Sequence, residues 1–409
     1  MILHKASIQG VGSLHLVKSS SYENSSLSRS NYQIKLTDNL FITYFMAMEY
    51  LRLITRCTLH RLQHLKKLAL TMLLLYLLAF TLACGGNHGS STSERPSPPG
   101  SPVAEAPDQT LLRWESNMTE YGQRLCNDLS SESPSNEQAL ASTYYDGIDV
   151  FLRIADYRHD DKWAKCAERA VAVYRDNYVF PNNGVIPAYW NFTHGLTRHY
   201  LRTGDQKSQQ AVFLIAQNAA FSRENTPLSS TENNALSREV SYTIMTYLNA
   251  IRLGSQPSPR LLPMVDQAIG HLQQWLSDSS GTSPMKPFMV ALTGQALIQY
   301  YEYKRDERIP SMLRTTLDAM WKRTWKANEG AFRYQEKSVN PDEEGSAPDL
   351  NLLIAPAYMW VGHHDNNDEF RSRAEQIFAS GVQNSFLGNG KHFNQNYRWS
   401  FDFVSWRNG

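Results

Sequence analysis

Cysteine, extended patterns and one-sided charge are all scarce in this 409-residue chain, and each shortage removes a class of function. Its four cysteines include no closely spaced pair, which excludes a zinc-ribbon site and a cysteine-rich scaffold. A formal net charge of +1 gives no basic face to neutralise phosphates, so nucleic acid is not an expected partner. Neither a Gly-rich phosphate loop nor a G-x-S-x-G elbow occurs. His363 and His364 lie beside Asp365 and Asp368, but on a short turn where neighbouring side chains diverge. No metal and no cofactor is therefore expected. Little of the chain alternates with the period of a strand. What is present is 42% hydrophobic residues, enough to bury one large core or two.

The N-terminal third opens with a targeting pattern. Lys66 and Lys67 precede an apolar run from Leu68 to Ala83, shorter than the roughly 20 residues that span a bilayer and shaped like a secretory signal. The run ends Thr81-Leu82-Ala83-Cys84-Gly85, which resembles the lipobox of bacterial lipoproteins. That resemblance implies acylation of Cys84, a membrane anchor, and a place at the outer membrane facing the periplasm or the outside. Residues 1–45 have no helical or strand period, and Met46 or Met48 would begin a more conventional signal, so an over-long translation is expected. The organisation is then 1–84 signal region, 85–107 Gly/Ser/Pro tether, and 108–409 folded domain. Once Cys57 leaves with the signal and Cys84 carries lipid, Cys126 and Cys166 remain. A bridge between neighbouring helices and two buried thiols are equally compatible with the sequence.

Beyond residue 106 two kinds of helix alternate. One is amphipathic, with apolar residues at i, i+3, i+4 and i+7, as in PRLLPMVDQAIGHLQQWL. The other is apolar or aromatic almost all round, as in KPFMVALTGQALIQYYEY and DLNLLIAPAYMWVG, and must be covered on every side. Outer helices are expected to begin near residues 108, 161, 206, 258, 307 and 367, and inner ones near 138, 186, 236, 286, 348 and 394. Short polar turns recur about every fifty residues, longer than the roughly 34 of a tetratricopeptide array. Twelve such helices resemble the (α/α)6 toroid of six-hairpin glycosidases and related polysaccharide lyases. The fold class expected is therefore all-α, and the substrate class implied is a polysaccharide or oligosaccharide.

The long connections run from outer to inner helices, so the starts of the inner helices should line the functional mouth. Those positions hold Tyr145 and Asp146; Trp190 and Asn191; Arg238 and Glu239; Lys286; Asp349 and Asn351; and Tyr397, Arg398 and Trp399. Aromatic faces beside hydrogen-bonding groups suit sugar rings. Hydrolysis of a glycosidic bond needs one carboxyl group to protonate the leaving oxygen and another to activate water or attack carbon. Glu239 is the expected general acid, with Asp349 or Asp146 as base, and Arg238 the partner of an anionic group. Each carboxylate also has a structural alternative: an ion pair or helix-dipole role for Glu239 and helix capping for the two aspartates. A lyase using Tyr145, Tyr397 or His194 with Arg238, Arg398, Lys286 and Asn191, and a glycan-binding lipoprotein without catalysis, are the alternatives.

Overall fold

A computed structural model describes residues 107–129, 136–278, 281–337 and 345–408, all within one compact unit. The signal region, Cys84 and the tether up to residue 106 lie outside the described residues. Thirteen helices occur among those described: α1 (Pro107–Asp128), α2 (Asn136–Ser142), α3 (Gly147–Arg158), α4 (Lys162–Val171), α5 (His194–Thr203), α6 (Gln206–Asn218), α7 (Ser237–Arg252), α8 (Leu261–Ser277), α9 (Pro287–Lys304), α10 (Arg308–Thr324), α11 (Asn351–His364), α12 (Asp368–Asn384) and α13 (Gly390–Asn408). A short antiparallel hairpin, β1 (Trp325–Lys326) and β2 (Ala331–Phe332), interrupts them. The chain is all-α in character, and none of the described helices is long and apolar enough to cross a membrane.

Burial separates the helices as their sequences require. On α8 the buried apolar residues are Leu261, Met264, Val265, Ala268, Ile269, Leu272 and Trp275, a stripe at helical spacing that also takes in His271. On α9 every residue from Pro287 to Ile298 is buried, and on α11 every residue from Asn351 to Gly362. The inner helices also pack in sequence: α3 on α5, α5 on α7, α7 on α9, α9 on α11, α11 on α13, and α13 back on α3. Polar contacts reinforce that last junction. Asn394 donates from Nδ2 to the carbonyls of Ser142 and Tyr144, and Arg153 on α3 pairs with Asp402 on α13 at 2.6 Å.

Cys126 on α1 and Cys166 on α4 form a disulfide with their Cα atoms 5.3 Å apart, which resolves the choice left open by the sequence. Two inner helices depart from the expected pattern, and each departure has a local cause. The one expected near 138 is split into α2 and α3, because Tyr145 and Asp146 both adopt left-handed backbone angles, with φ of 63° and 64°. Such a conformation costs roughly 1–2 kcal/mol per non-glycine residue. The one expected near 186 is delayed to His194 by Pro187 and a tight turn over Ala188–Trp190.

Candidate functional site

The left-handed pair places Asp146 at the N-cap of α3. Its Oδ1 accepts from the Asp149 amide at 3.3 Å and its Oδ2 from the Gly195 amide at 3.1 Å, so one carboxylate ties the starts of α3 and α5 together. Gly195 makes this approach possible, since a Cβ there would sit 2.4 Å from Asp146 Oδ1 and 2.5 Å from the Asp149 amide nitrogen. Burial pushes the Asp146 carboxyl above the usual carboxylate range, against the pull of Arg398, whose Nη2 is 3.9 Å away. Asp149 goes the other way. Burial would raise it, but Arg153 and Arg198 bond its two oxygens at 2.8 and 2.9 Å and hold it well below the usual range.

A small cavity of about 210 Å³ lies where the starts of α3, α7, α9 and α13 meet the turn before α11. Tyr144, Tyr145, Phe288 and Tyr334 supply its aromatic surfaces, and Arg238, Lys391, His392 and Asp349 its charged or titratable groups. Phe288 and Tyr334 stack at 5.5 Å, and Tyr144 meets Tyr145 and Trp190 edge-on at 4.8 and 4.6 Å. Burial raises the phenol of Tyr144 strongly and pushes that of Tyr145 up to about 12, despite the opposing guanidinium of Arg238. Both are therefore hydrogen-bond donors at neutral pH.

Arg238 and Glu239 form a pair. Arg238 donates from Nε to Glu239 Oε1 at 3.0 Å and its guanidinium lies over the Tyr189 ring at 5.5 Å, while Glu239 Oε2 is buried with no hydrogen-bond partner. Asp349 lines the cavity and accepts the Phe386 amide on Oδ1. Trp190 and Asn191 are held by Tyr174, whose hydroxyl donates to the Trp190 carbonyl and accepts from the Phe192 amide at 3.1 Å. Both polar atoms of the Asn191 side chain are buried and unpartnered.

The cavity thus brings together Arg238, Asp349 and Tyr145 and leaves other expected residues outside it. Tyr397 is buried with its hydroxyl donating to the Trp114 carbonyl at 2.7 Å, so it faces α1. Asn351 donates to the Gly330 carbonyl at 2.9 Å, and Lys286 precedes α9 without reaching the cavity wall. Trp399 is buried beneath Arg398, with 4.3 Å from guanidinium to ring. Arg398 in turn donates to His194.

A larger cavity, about 720 Å³, opens among α3, α5, α7, α9 and α13, mostly towards their C-terminal halves. His194, Asp149, Gln295 and Gln299 belong to its wall, with Arg252, Glu302, Tyr303, Asp402 and Trp406 further along. Asp146, Arg398 and His194 therefore connect the residue next to Tyr145, on the small cavity, to the wall of the large one. Reading the sequence for the starts of inner helices missed this face. Its residues appear in sequence as ordinary charges near helix ends, and only the shared spacing of Arg252, Glu302 and Asp402 near the ends of three covered helices signals it.

No protein-family model, curated protein or solved structure matches the chain.

Proposed function

We propose that the chain is a carbohydrate-active protein built as an (α/α)6 toroid of six helical hairpins, of the six-hairpin glycosidase-like kind, and that it hydrolyses an acidic glycan at the mouth formed by the long loops. The observation that carries this reading is the wall of the small cavity, where four aromatic rings surround Arg238, Lys391 and His392 with Asp349 as the carboxylate on the wall. Aromatic faces take the apolar sides of sugar rings, and a guanidinium takes a carboxylate in a two-point contact. Glu239 is the proton donor in this mechanism. Glu239 lies behind Arg238 rather than on the cavity wall, so in this reading a substrate carboxylate that draws Arg238 away is what gives Glu239 access to the leaving oxygen. Glu239 then protonates the leaving oxygen, and Asp349, whose Oδ2 has no partner among the described residues, takes a proton from the attacking water. Asp146 positions α3 and α5 rather than reacting.

Elimination next to a uronate carboxylate is the second reading, favoured by the company of Tyr145 and Arg238 on one wall. It ranks second because a phenol pushed up to about 12 is a poor base at neutral pH. Lipid anchoring at Cys84 and a place at the outer membrane belong to the same proposal, and the Cys126–Cys166 bridge supports an oxidising compartment.

The test is digestion of neutral and uronate-containing polysaccharides with the full chain, following reducing ends and the absorbance of unsaturated products together. Reducing ends without the chromophore, lost in Glu239→Gln and in Asp349→Asn, are the expected result. A chromophore would transfer the assignment to elimination. No product from any polymer, with binding that survives both substitutions, would leave a glycan-binding protein and end the catalytic reading.

A further inference from the structure

The large cavity has a volume within the roughly 300–1,000 Å³ typical of small-ligand sites, whereas the small one lies below that range. Most of its charge is internally matched. Asp149 is bonded by Arg153 and Arg198, Asp156 by Arg198 and Arg202, and Asp402 by Arg153. Glu302 stands apart: it lines the cavity from the last turn of α9, makes no hydrogen bond or ion pair within the described residues, and faces the same space as Asp402 on α13. Although its surface is exposed, the surrounding walls and the Asp402 carboxylate push the Glu302 carboxyl above the usual range, with Arg305 opposing them. A carboxylate there lacks a cation.

A second unmet group points into the same space. Gln295, about two turns deeper on α9, is 1% exposed and lines the cavity, and its Nε2 has no hydrogen-bond partner. A buried amide donor without an acceptor carries an uncompensated desolvation cost, which a ligand oxygen would offset. Tyr303 and Trp406 add aromatic surface near Glu302 and Asp402, suited to the apolar side of a ring and to an adjacent positive charge.

From these three features we infer that the large cavity binds a small hydroxylated amine, an amino sugar or a short amino-sugar oligomer, with its ammonium at Glu302 and a ring oxygen or hydroxyl at Gln295. This site is separate from the long-loop mouth and does not depend on the chemistry proposed there. Arg252, exposed on the neighbouring helix α7 and without an ion pair among the described residues, sets one edge of the site, so the ammonium belongs on the α9 and α13 side.

The experiment is calorimetric titration of the full chain with the β-1,4-linked glucosamine disaccharide, its N,N′-diacetyl form and cellobiose. These share a backbone and differ in amine charge. The free amine should bind at least about tenfold tighter than either neutral disaccharide, the scale of one charge-assisted hydrogen bond. Glu302→Gln should remove that preference, and Gln295→Leu should weaken all three sugars. Glu302 is exposed, so its substitution leaves the fold intact, and an unchanged melting temperature checks this. Equal affinities for the three sugars, a preference that survives Glu302→Gln, or no saturable binding would each overturn the inference. Arg238→Gln separates the two sites: it should weaken uronate binding at the long-loop mouth by about tenfold or more and leave amine binding unchanged.

Discussion

Arg398 donates from Nη2 to Nδ1 of His194 across 2.9 Å, and a guanidinium has nothing with which to accept. His194 Nδ1 is therefore the acceptor and Nε2 carries the proton, which it donates to Gln299 Oε1 at 2.9 Å. The imidazole is fixed in one neutral tautomer by partners on two other helices, α13 and α9.

That arrangement makes stability depend on pH in a defined direction. Burial, with Arg398 adding to it, pushes the His194 pKa down to about 3 from 6.5 in an unfolded chain. Between those values the unfolded state binds the proton and the folded state does not, so stability is full above pH 6.5 and declines as the pH falls towards 3. His271, buried on α8 with its pKa also lowered by burial, acts in the same direction. Urea midpoints measured from pH 7.5 to 4.5 should fall, with a shallower decline in His194→Asn. An identical slope in that variant would mean that His194 is not held neutral.

Gly195→Ala should destabilise the fold, because the added methyl group would meet Asp146, Ile148 and the Asp149 amide within 2.5 Å. Overpacking of this kind costs about 1–3 kcal/mol. Equilibrium denaturation at pH 7 measures it. A loss below about 0.5 kcal/mol, the range of neutral surface changes, would show that α3 and α5 are not locked at this point.

Replacing Cys126 and Cys166 together by serine opens a bridge between residues 40 apart in sequence. The chain-entropy argument gives a loss of about 4 kcal/mol, within the usual 2–5 for a native bridge. Denaturation of the double variant, compared with wild type under non-reducing conditions, tests this, and equal midpoints would contradict it.

Arg238→Gln should weaken binding of a uronate oligomer by about tenfold or more, as expected for losing a charge-assisted contact. Part of any stability change will come from Glu239, which loses the partner of its Oε1. The combined variant Arg238→Gln with Glu239→Gln should recover stability without recovering uronate affinity. Recovery of both would indicate that Arg238 serves only the ion pair.

The outer helices were legible because an amphipathic stripe reports both the helix and the face it buries. On α8 the apolar spacing in the sequence and the buried set in the structure coincide. The inner helices were legible as elements, and α7 begins at Ser237 and α9 at Pro287, within a residue of the positions expected. Their rotation was not legible. A helix covered on every side carries no polar stripe, so nothing in the order of Tyr397, Arg398 and Trp399 says that Tyr397 turns to Trp114 while Arg398 turns to His194. Tyr242 escaped notice for the same reason. It is fully buried on α7, 5.8 Å from the Arg398 guanidinium, with an unpartnered hydroxyl, and its flanking Ser241 and Thr243 are buried with it, so no polar face marks it in the sequence.

The packing of α13 on α3 also has a kinetic meaning. The contacts at this junction, Asn394 with Ser142 at the end of α2 and Asp402 with Arg153 on α3, span 252 and 249 residues of chain. Loop closure over such distances is entropically costly and slow relative to the formation of local helical hairpins. During synthesis the α3 side of that junction emerges long before its partner, and its apolar surface must wait uncovered until the last helix arrives. The interval before that arrival is when this chain is most open to aggregation and most dependent on whatever shields it.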